Sequence, residues 1–374
     1  MILFIGVALV AVWWLFFVSI DYFLRKRNPE SEQIGIEFLK SDIAVLIAAR
    51  NEERVIYKCL ESISAETQET RISVLLVNDH STDNTLIEVD KAILHFQNLD
   101  ITVIENVEYG KKSALSLALK QVKTKLIYLT DADCQIQSGS FSTMLKRMNH
   151  GSFAAILGVV EYEVTGWFSR LVALENWNNM AVTEAFSLAG KPILSNAGNF
   201  MFQTEFLPLF QESLESKFAS GDDMFFLEKL TRQGEKIGFE KNAVVKTNTP
   251  ETLIDLFAQR VRWAGKSTGY NNWLAKAIPA FVWLMNFAFI SWMIVSVVFD
   301  HFLLWGLFPF CLKVLIEYAF HAQWFKRYEV KHRLFDGITL STIYPIYVVI
   351  IGLMALLKPS FTWKGRRYVG GLRP

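Results

Sequence analysis

The sequence predicts an α/β domain built on a parallel sheet and inserted between membrane-spanning helices. The apolar residues, 52% of 374, collect in residues 1–20 and again from about 278 to 357, leaving a middle of globular character. Within that middle, short runs of β-forming residues alternate with helical patterns, the pitch of βαβ units. A net charge of +1 gives no electrostatic footprint for nucleic acid. Cys59, Cys134 and Cys311 share neither metal-ligand spacing nor a disulfide framework, and read as small hydrophobes in a reducing compartment.

Taken in order, Ile2 to Ile20 is uncharged and long enough to cross a bilayer as a helix. Its charges, Arg25, Lys26 and Arg27, follow the apolar run instead of preceding it, so it reads as a retained anchor with that end in the cytoplasm. A polar linker precedes the strand Ile43–Ala49, which gives way to Arg50-Asn51-Glu52-Glu53 and a helical pattern through Ile63. A second strand, Ile72–Val77, ends in Asn78-Asp79-His80-Ser81-Thr82-Asp83, and a third lies around Ile101–Ile104. Gly110-Lys111-Lys112 opens another helix, and Leu126–Leu129 is a buried strand ending in Asp131-Ala132-Asp133.

The carboxyl edge of a parallel sheet is where ligands bind. Asp131 and Asp133 repel each other there, and a hard divalent ion carrying a diphosphate would compensate both. Asp79, also at a strand end, is placed to accept hydrogen bonds from a base or ribose, while Asp83 is placed to cap the next helix. Lys111 is positioned to meet a phosphate. Neither a Walker loop nor Gly-x-Gly-x-x-Gly occurs, so phosphate binding would rest on metal and basic side chains. Further along, Asn196-Ala197-Gly198-Asn199 is a turn before a strand, and Asp222-Asp223 opens a helix whose dipole favours acids. Gln259-Arg260-Val261-Arg262-Trp263 lies on an amphipathic, basic and aromatic helix suited to a membrane interface.

Ala49-Arg50-Asn51-Glu52, Asn78-Asp79-His80-Ser81-Thr82-Asp83, Gly110-Lys111, Asp131-Ala132-Asp133 and Gln259-x-x-Arg262-Trp263, in this order, resemble a membrane-integrated family 2 glycosyltransferase of the GT-A fold. The resemblance covers roughly residues 41–265 and implies a UDP-sugar donor with Mg2+ or Mn2+ on Asp133 and Asp131. It implies donor contacts from Ala49, Asn51, Glu52, Asp79, Lys111, Asp131, Gln259 and Arg262. It further implies an acceptor site of Asn196, Gly198, Asn199 and Trp263, with Asp223 as general base and Asp222 orienting it. The tail motif Trp363-Lys364-Gly365-Arg366-x-Tyr368 also recurs in parts of that family.

The expected organisation is an anchor over 1–24, a juxtamembrane linker over 25–41 and a GT-A domain over 42–250. Interfacial helices follow over 251–277, then a transmembrane region over 278–357 and a basic tail over 358–374. Two apolar stretches between Ile278 and Phe320, parted by Asp300-His301, read as a helical hairpin; 321–334 is polar, and a span with Pro345 runs to Leu357. Four full spans would carry the basic tail outside, against the positive-inside tendency, so one C-terminal segment is expected to be re-entrant or interfacial. The expected function is transfer of a sugar from a UDP-sugar to a lipid or polysaccharide acceptor at the cytoplasmic leaflet of the inner membrane. A processive synthase subunit, with partner membrane subunits, and a catalytically inactive scaffold remain open beside it. A transporter is disfavoured, since few charges, Asp300 and Glu317 among them, fall within the apolar region.

Overall fold

The structure is a computed structural model that describes residues 2–26, 37–67, 70–218, 220–299, 302–357, 360–363 and 366–369. In chain order its elements are α1 (Ile2–Arg25), β1 (Ile43–Ala49), α2 (Ile56–Glu66), β2 (Ile72–Asn78), α3 (Thr85–His95), β3 (Leu99–Glu105) and α4 (Lys111–Leu119). There follow β4 (Leu126–Leu129), β5 (Gln135–Ile136), α5 (Ser140–Asn149), β6 (Ala155–Tyr162), α6 (Trp167–Leu188), β7 (Phe200–Gln203), α7 (Leu207–Leu214) and α8 (Asp222–Arg232). The chain continues through β8 (Ile237–Thr247), α9 (Leu253–Gly265), α10 (Trp273–Val298), α11 (Phe308–Arg327), α12 (Leu334–Leu356), β9 (Ser360–Trp363) and β10 (Arg366–Val369). Most of the expected linker, the Asp300-His301 break, and Lys358, Lys364 and Gly365 of the basic tail lie outside the described residues.

The chain divides into two units. A sheet unit comprises Asn28–Glu163, Gly190–Asn248 and Ser360–Pro374, and a helical unit comprises Met1–Arg27, Val164–Ala189 and Thr249–Pro359. The sequence reading placed 164–189 within 42–250, whereas α6 packs with α1, α11 and α12.

In the sheet unit the strand order is β3-β2-β1-β4-β7-β6-β8-β5. β3, β2, β1 and β4 are parallel, and β7 enters antiparallel between β4 and β6. β1 is buried over nearly its whole length, as apolar strands with both faces covered must be. The chain leaves β1 for β2 on one side and later returns to β4 on the other. The strand order therefore reverses at β1, and the crevice beyond the strand ends opens there.

β6 and β8 pair with a shift of register, Gly158 opposite Glu240 but Val159 opposite Val244. Asn199 fills the irregularity. Its Nδ2 donates to the carbonyls of Val159 (2.8 Å) and Ala243 (2.9 Å), and its Oδ1 accepts from Tyr128 Oη at 2.9 Å. Gly158 has to be glycine because a Cβ there would collide with the Asn199 side chain.

In the helical unit, α1 buries Val10, Trp13, Phe17, Ile20 and Leu24, a stripe of alternating three- and four-residue steps. That stripe meets α11 in parallel order. Gly6 lies at Pro309, Trp13 Nε1 donates to Glu317 Oε1 at 2.7 Å, and Phe17 stacks on Phe320 and Trp324. α10 runs the other way, with Trp292 at Gly6 and Phe281 against Trp13 and Phe16. α11 continues through the stretch expected to be polar as far as Arg327, because Trp324 and Phe325 are buried and Arg327 pairs with Glu184 of α6 at 2.5 Å.

α12 departs from this alignment. Its first half runs antiparallel to α11, with Gly337 at Tyr318 and the Ser341 carbonyl accepting from Lys313 Nζ at 3.1 Å. Continued straight, it would carry Val349 and Gly352 towards the start of α11. Instead the Val349 carbonyl accepts from Trp283 Nε1 at 3.2 Å and Gly352 lies against the same indole. Trp283 stands near the level of Phe281, hence of Trp13 and Phe16. α12 therefore lies across the helical unit, with Pro345 between its two halves. Among the described residues, α1, α10 and α12 are long and apolar enough to cross a membrane.

Losing the Asn199 amide strands two buried carbonyls and a buried phenol. Asn199→Ala is expected to cost about 2–5 kcal/mol of stability, read as a lowered thermal unfolding midpoint in detergent. A midpoint within one degree or so of wild type would remove this role.

Candidate active site

The strand ends of the sheet unit are sewn together before any ligand is considered. Arg50 Nη1 donates to the carbonyls of Asp79 (2.8 Å) and His80 (2.7 Å), and Asp79 N donates to the Ala49 carbonyl at 2.8 Å. Asn51 Oδ1 accepts from Thr82 N at 2.8 Å, and Glu52 N donates to Thr85 Oγ1 at 2.8 Å. Asn51 and His80 both take left-handed φ values, 53° and 57°, which these crossing turns require. The loops that carry Ala49, Asn51, Glu52 and Asp79 thus form one rigid rim.

Asp79 is nearly buried and organises the next loop. Its Oδ1 accepts from Asn106 Nδ2 (2.9 Å) and Gly110 N (3.0 Å), and its Oδ2 from Gly110 N (3.1 Å). Gly110 holds φ at 102°, a conformation L side chains avoid, and this turn starts α4 with Lys111 as its first residue. Asp79 therefore sets where Lys111 begins. Asn106 was not foreseen, since its role depends on a side chain 27 positions away.

Lys111 Nζ is hydrogen-bonded to Asp131 Oδ1. Burial works to lower the Lys111 pKa, but the surrounding carboxylates of Asp131, Asp222 and Asp223 outweigh it and hold the ammonium well above its usual range. Acids from the end of β4 and the start of α8, some 90 positions apart, thereby converge on one cation. Asp222 (2% exposed) and Asp223 (9%) occupy the first turn of α8, where the helix dipole favours negative charge. Asp222 Oδ2 is buried without a hydrogen-bond partner.

Ligand atoms of Asp131, Asp133 and Cys134 lie within 4.8 Å of one another. Burial, then the charges of Asp133 and Asp131, push the Cys134 thiol up, and the other donors of the group are hard carboxylate oxygens. That set fits Mg2+ or Mn2+ better than a thiophilic ion. Cys59 is raised by the same causes, burial first and then Asp133, Asp131 and Glu52, which places Glu52 in the same electrostatic neighbourhood.

Gly198 sits beside this group, and a Cβ there would lie 3.1 Å from Cys134 Sγ and 3.6 Å from Asp131 Oδ2. Asn196 Oδ1 accepts from Gly198 N at 2.9 Å and shapes the turn. Asn199, expected to touch an acceptor, is fully buried with its amide committed to the β6–β8 irregularity. The acceptor assignment is corrected to a scaffolding one for that residue.

Gln259, Arg262 and Trp263 lie on α9 of the helical unit, whose start is capped by Thr252 and Asp255. Arg260, between them in sequence, is the organiser. It donates to Gln259 Oε1 and to Glu175 Oε2 of α6, both at 2.5 Å, and its guanidinium lies 4.4 Å from the Trp263 ring centroid. The Gln-x-x-Arg-Trp pattern passes over this residue, and only a fold could reveal Glu175, 85 positions away, as its partner.

A Rossmann-like sheet with paired carboxylates and a lysine at its carboxyl edge is the arrangement expected of a GT-A glycosyltransferase. The model described as "Glycosyltransferase like family 2" matches residues 41–266, and the chain belongs to that family. A model described as "Glycosyl transferase family 21" matches residues 212–370. The chain is 24% identical over 276 residues to an N-acetylglucosaminyltransferase of Azorhizobium caulinodans, covering 70% of this chain and 68% of that one. It is 26% identical over 271 residues to a poly-beta-1,6-N-acetyl-D-glucosamine synthase of Staphylococcus aureus, covering 68% of this chain and 60% of the synthase. A mannosyltransferase of Pyrobaculum calidifontis, solved with GDP-mannose and Mn2+, superposes with a TM-score of 0.58. At 17% identity, over 96% of this chain and 98% of that one, it shares the fold. The protein is a glycosyltransferase with apolar helices flanking its sheet domain.

Asp83 ties the rim to α3. Burial tends to raise its pKa, but bonds from Thr85 Oγ1 (2.5 Å), Thr85 N (3.1 Å) and Glu53 N (3.1 Å) prevail and hold it below the usual carboxylate range. A depressed folded value stabilises the protein above the unfolded pKa of ~3.9, and the gain is lost as pH falls through the folded value. Asp83→Asn should therefore melt below wild type at pH 7, with the gap narrowing in detergent melts as pH falls below the unfolded value.

Proposed function

We propose that the protein is a membrane-bound, inverting glycosyltransferase that moves a sugar from a UDP-sugar to a lipid or polysaccharide acceptor at the cytoplasmic leaflet. The observation that carries this reading is the convergence of Asp131, Asp222 and Asp223 on Lys111. The curated relatives are named for N-acetylglucosamine transfer and polymer synthesis, which favours UDP-N-acetylglucosamine as the donor and polysaccharide as the acceptor.

Asp131 and Asp133 would hold Mg2+ or Mn2+, which when bound neutralises the diphosphate and eases its departure. Lys111 orients Asp131 and adds a fixed positive charge beside the diphosphate. Asn51, Glu52 and Asp79 form the rim that takes the nucleoside. The resemblance assigns Gln259 and Arg262, the latter permanently ionised and planar, to the diphosphate, and Trp263 to stacking on an acceptor sugar. Asp223 accepts the proton of the acceptor hydroxyl as that oxygen attacks the anomeric carbon opposite the diphosphate, and Asp222 holds Asp223 in place.

The helix alignment supports a topology in which α1, α10 and α11 cross the membrane and α12 is re-entrant. α11 shares the level and direction of α1 despite Lys313 and Glu317, whereas the more apolar α12 lies across the unit. Both the sheet domain and the basic tail then face the cytoplasm, in accord with the positive-inside tendency. β9 and β10 group with the sheet unit, as this requires.

Asp223→Asn should lower transfer by at least ~10²-fold while leaving UDP binding within a few-fold, in an assay of detergent-solubilised protein with UDP-N-acetylglucosamine, UDP-glucose and GDP-mannose. Transfer at the wild-type rate would remove Asp223 from the mechanism, and chelation of divalent ions should silence wild type and variant alike. For the topology, alkaline phosphatase fused after residue 370 should be inactive and green fluorescent protein at the same point bright. The opposite pair of results would make α12 a full span.

A further inference from the structure

Inside the helical unit sits a charged cluster that the transferase chemistry does not use. Lys313 is fully buried and Glu317 is 1% exposed. Lys313 Nζ donates to Glu317 Oε1 at 2.8 Å and to the Ser341 carbonyl at 3.1 Å, and Glu317 Oε1 also accepts from Trp13 Nε1 at 2.7 Å. The ammonium lies 5.9 Å from the Phe289 and Phe310 ring centroids. One amine thus touches α10 and α12 directly and α1 through Glu317. An ion pair in this setting is costly unless each group is committed.

The identity of the carbonyl is the informative point. In an α-helix the carbonyl of residue 341 accepts from the amide of residue 345, and residue 345 is proline, which has no N–H to give. An orphaned carbonyl inside an apolar unit costs free energy until another donor reaches it. Lys313 Nζ is that donor. The geometry points to Lys313 as the surrogate for the missing amide of Pro345, a positioning residue that fixes α12 at the break in its hydrogen-bond ladder.

What the break positions is α9. Beyond Pro345, Tyr347 packs edge-on against Phe257 of α9, with 5.7 Å between ring centroids. α12 also braces α6 through Asp336, 3.4 Å from Arg170, and α6 carries the Glu175 that holds Arg260. α9 is therefore clamped between α12 and α6. A shift of α12 would be felt at Gln259, Arg262 and Trp263, none of which Lys313 touches. This catalytic consequence rests on the transferase reading above, whereas the Lys313–Pro345 pairing does not.

The test is a double-mutant cycle on the full chain in detergent or nanodiscs: wild type, Lys313→Met, Pro345→Ala and the double variant. Pro345→Ala restores an amide to the Ser341 carbonyl, so Lys313 becomes dispensable for it; the cost of leaving Glu317 unpaired is common to both backgrounds and cancels. Lys313→Met should lower the thermal midpoint and cut kcat per folded molecule at least ~tenfold, with the donor KM within about twofold. Both losses should be smaller in the Pro345→Ala background, the difference being the part due to the Ser341 carbonyl and the remainder the common cost of Glu317. Equal losses in the two backgrounds would overturn the pairing, and an unchanged kcat per folded molecule would overturn the positioning role. If Lys313→Met fails to accumulate, the same cycle is run in a Glu317→Met background, where no carboxylate is left unpaired; a smaller loss with Pro345→Ala there supports the pairing and equal losses overturn it. Should wild type transfer no sugar at all, the midpoints still decide the pairing, and the transferase reading alone falls.

Discussion

Carboxylates gathered at the end of a buried sheet repel one another and lose water, and the fold has to meet that cost with positive charge. Lys111 is the group that does so. Its ammonium bonds Asp131 after β4 and is held ionised by that acid together with the charges of Asp222 and Asp223 in the first turn of α8. Much of the neighbouring structure serves to deliver it there. Asp79 grips Gly110, Asn106 grips Asp79, and the laced turns after β1 and β2 hold that group rigid. The same crowding pushes the Cys59 and Cys134 thiols up, burial being the larger cause.

The sheet was legible in the sequence because its strands are continuous apolar runs ended by polar turns, a pattern set by local residue type. The strand boundaries at β1 and β2 and the acids at the ends of β2 and β4 follow from that pattern. The apolar helices were legible as segments but not as a topology. Hydropathy ranks α12 above α11 as a span, yet alignment with α1 depends on Trp13, Phe17, Glu317 and Phe320 meeting in space. Composition averaged over a window cannot see that a buried lysine and glutamate have satisfied each other.

Site residues divided along similar lines. Acids that stand at a strand or helix end, such as Asp131, Asp133 and Asp223, could be placed there from the sequence, since position follows from local pattern. Residues whose role is to brace others could not be named, because their partners are remote: Arg260 with Glu175, Asn106 with Asp79, Lys313 with Ser341. Asn199 shows the converse error. A polar residue in a glycine-containing turn near the site invites a ligand-binding role, but an irregularity between β6 and β8 had already claimed its amide.

The fit of Asn199 against Gly158 constrains how this sequence can drift. No side chain can be added at position 158 while the Asn199 amide stands in its way, and removing that amide first strands the carbonyls of Val159 and Ala243. Each single step is disfavoured in the background of the other. The two sites, 41 positions apart, are thus expected to behave as one inherited unit, changing jointly across relatives or staying fixed.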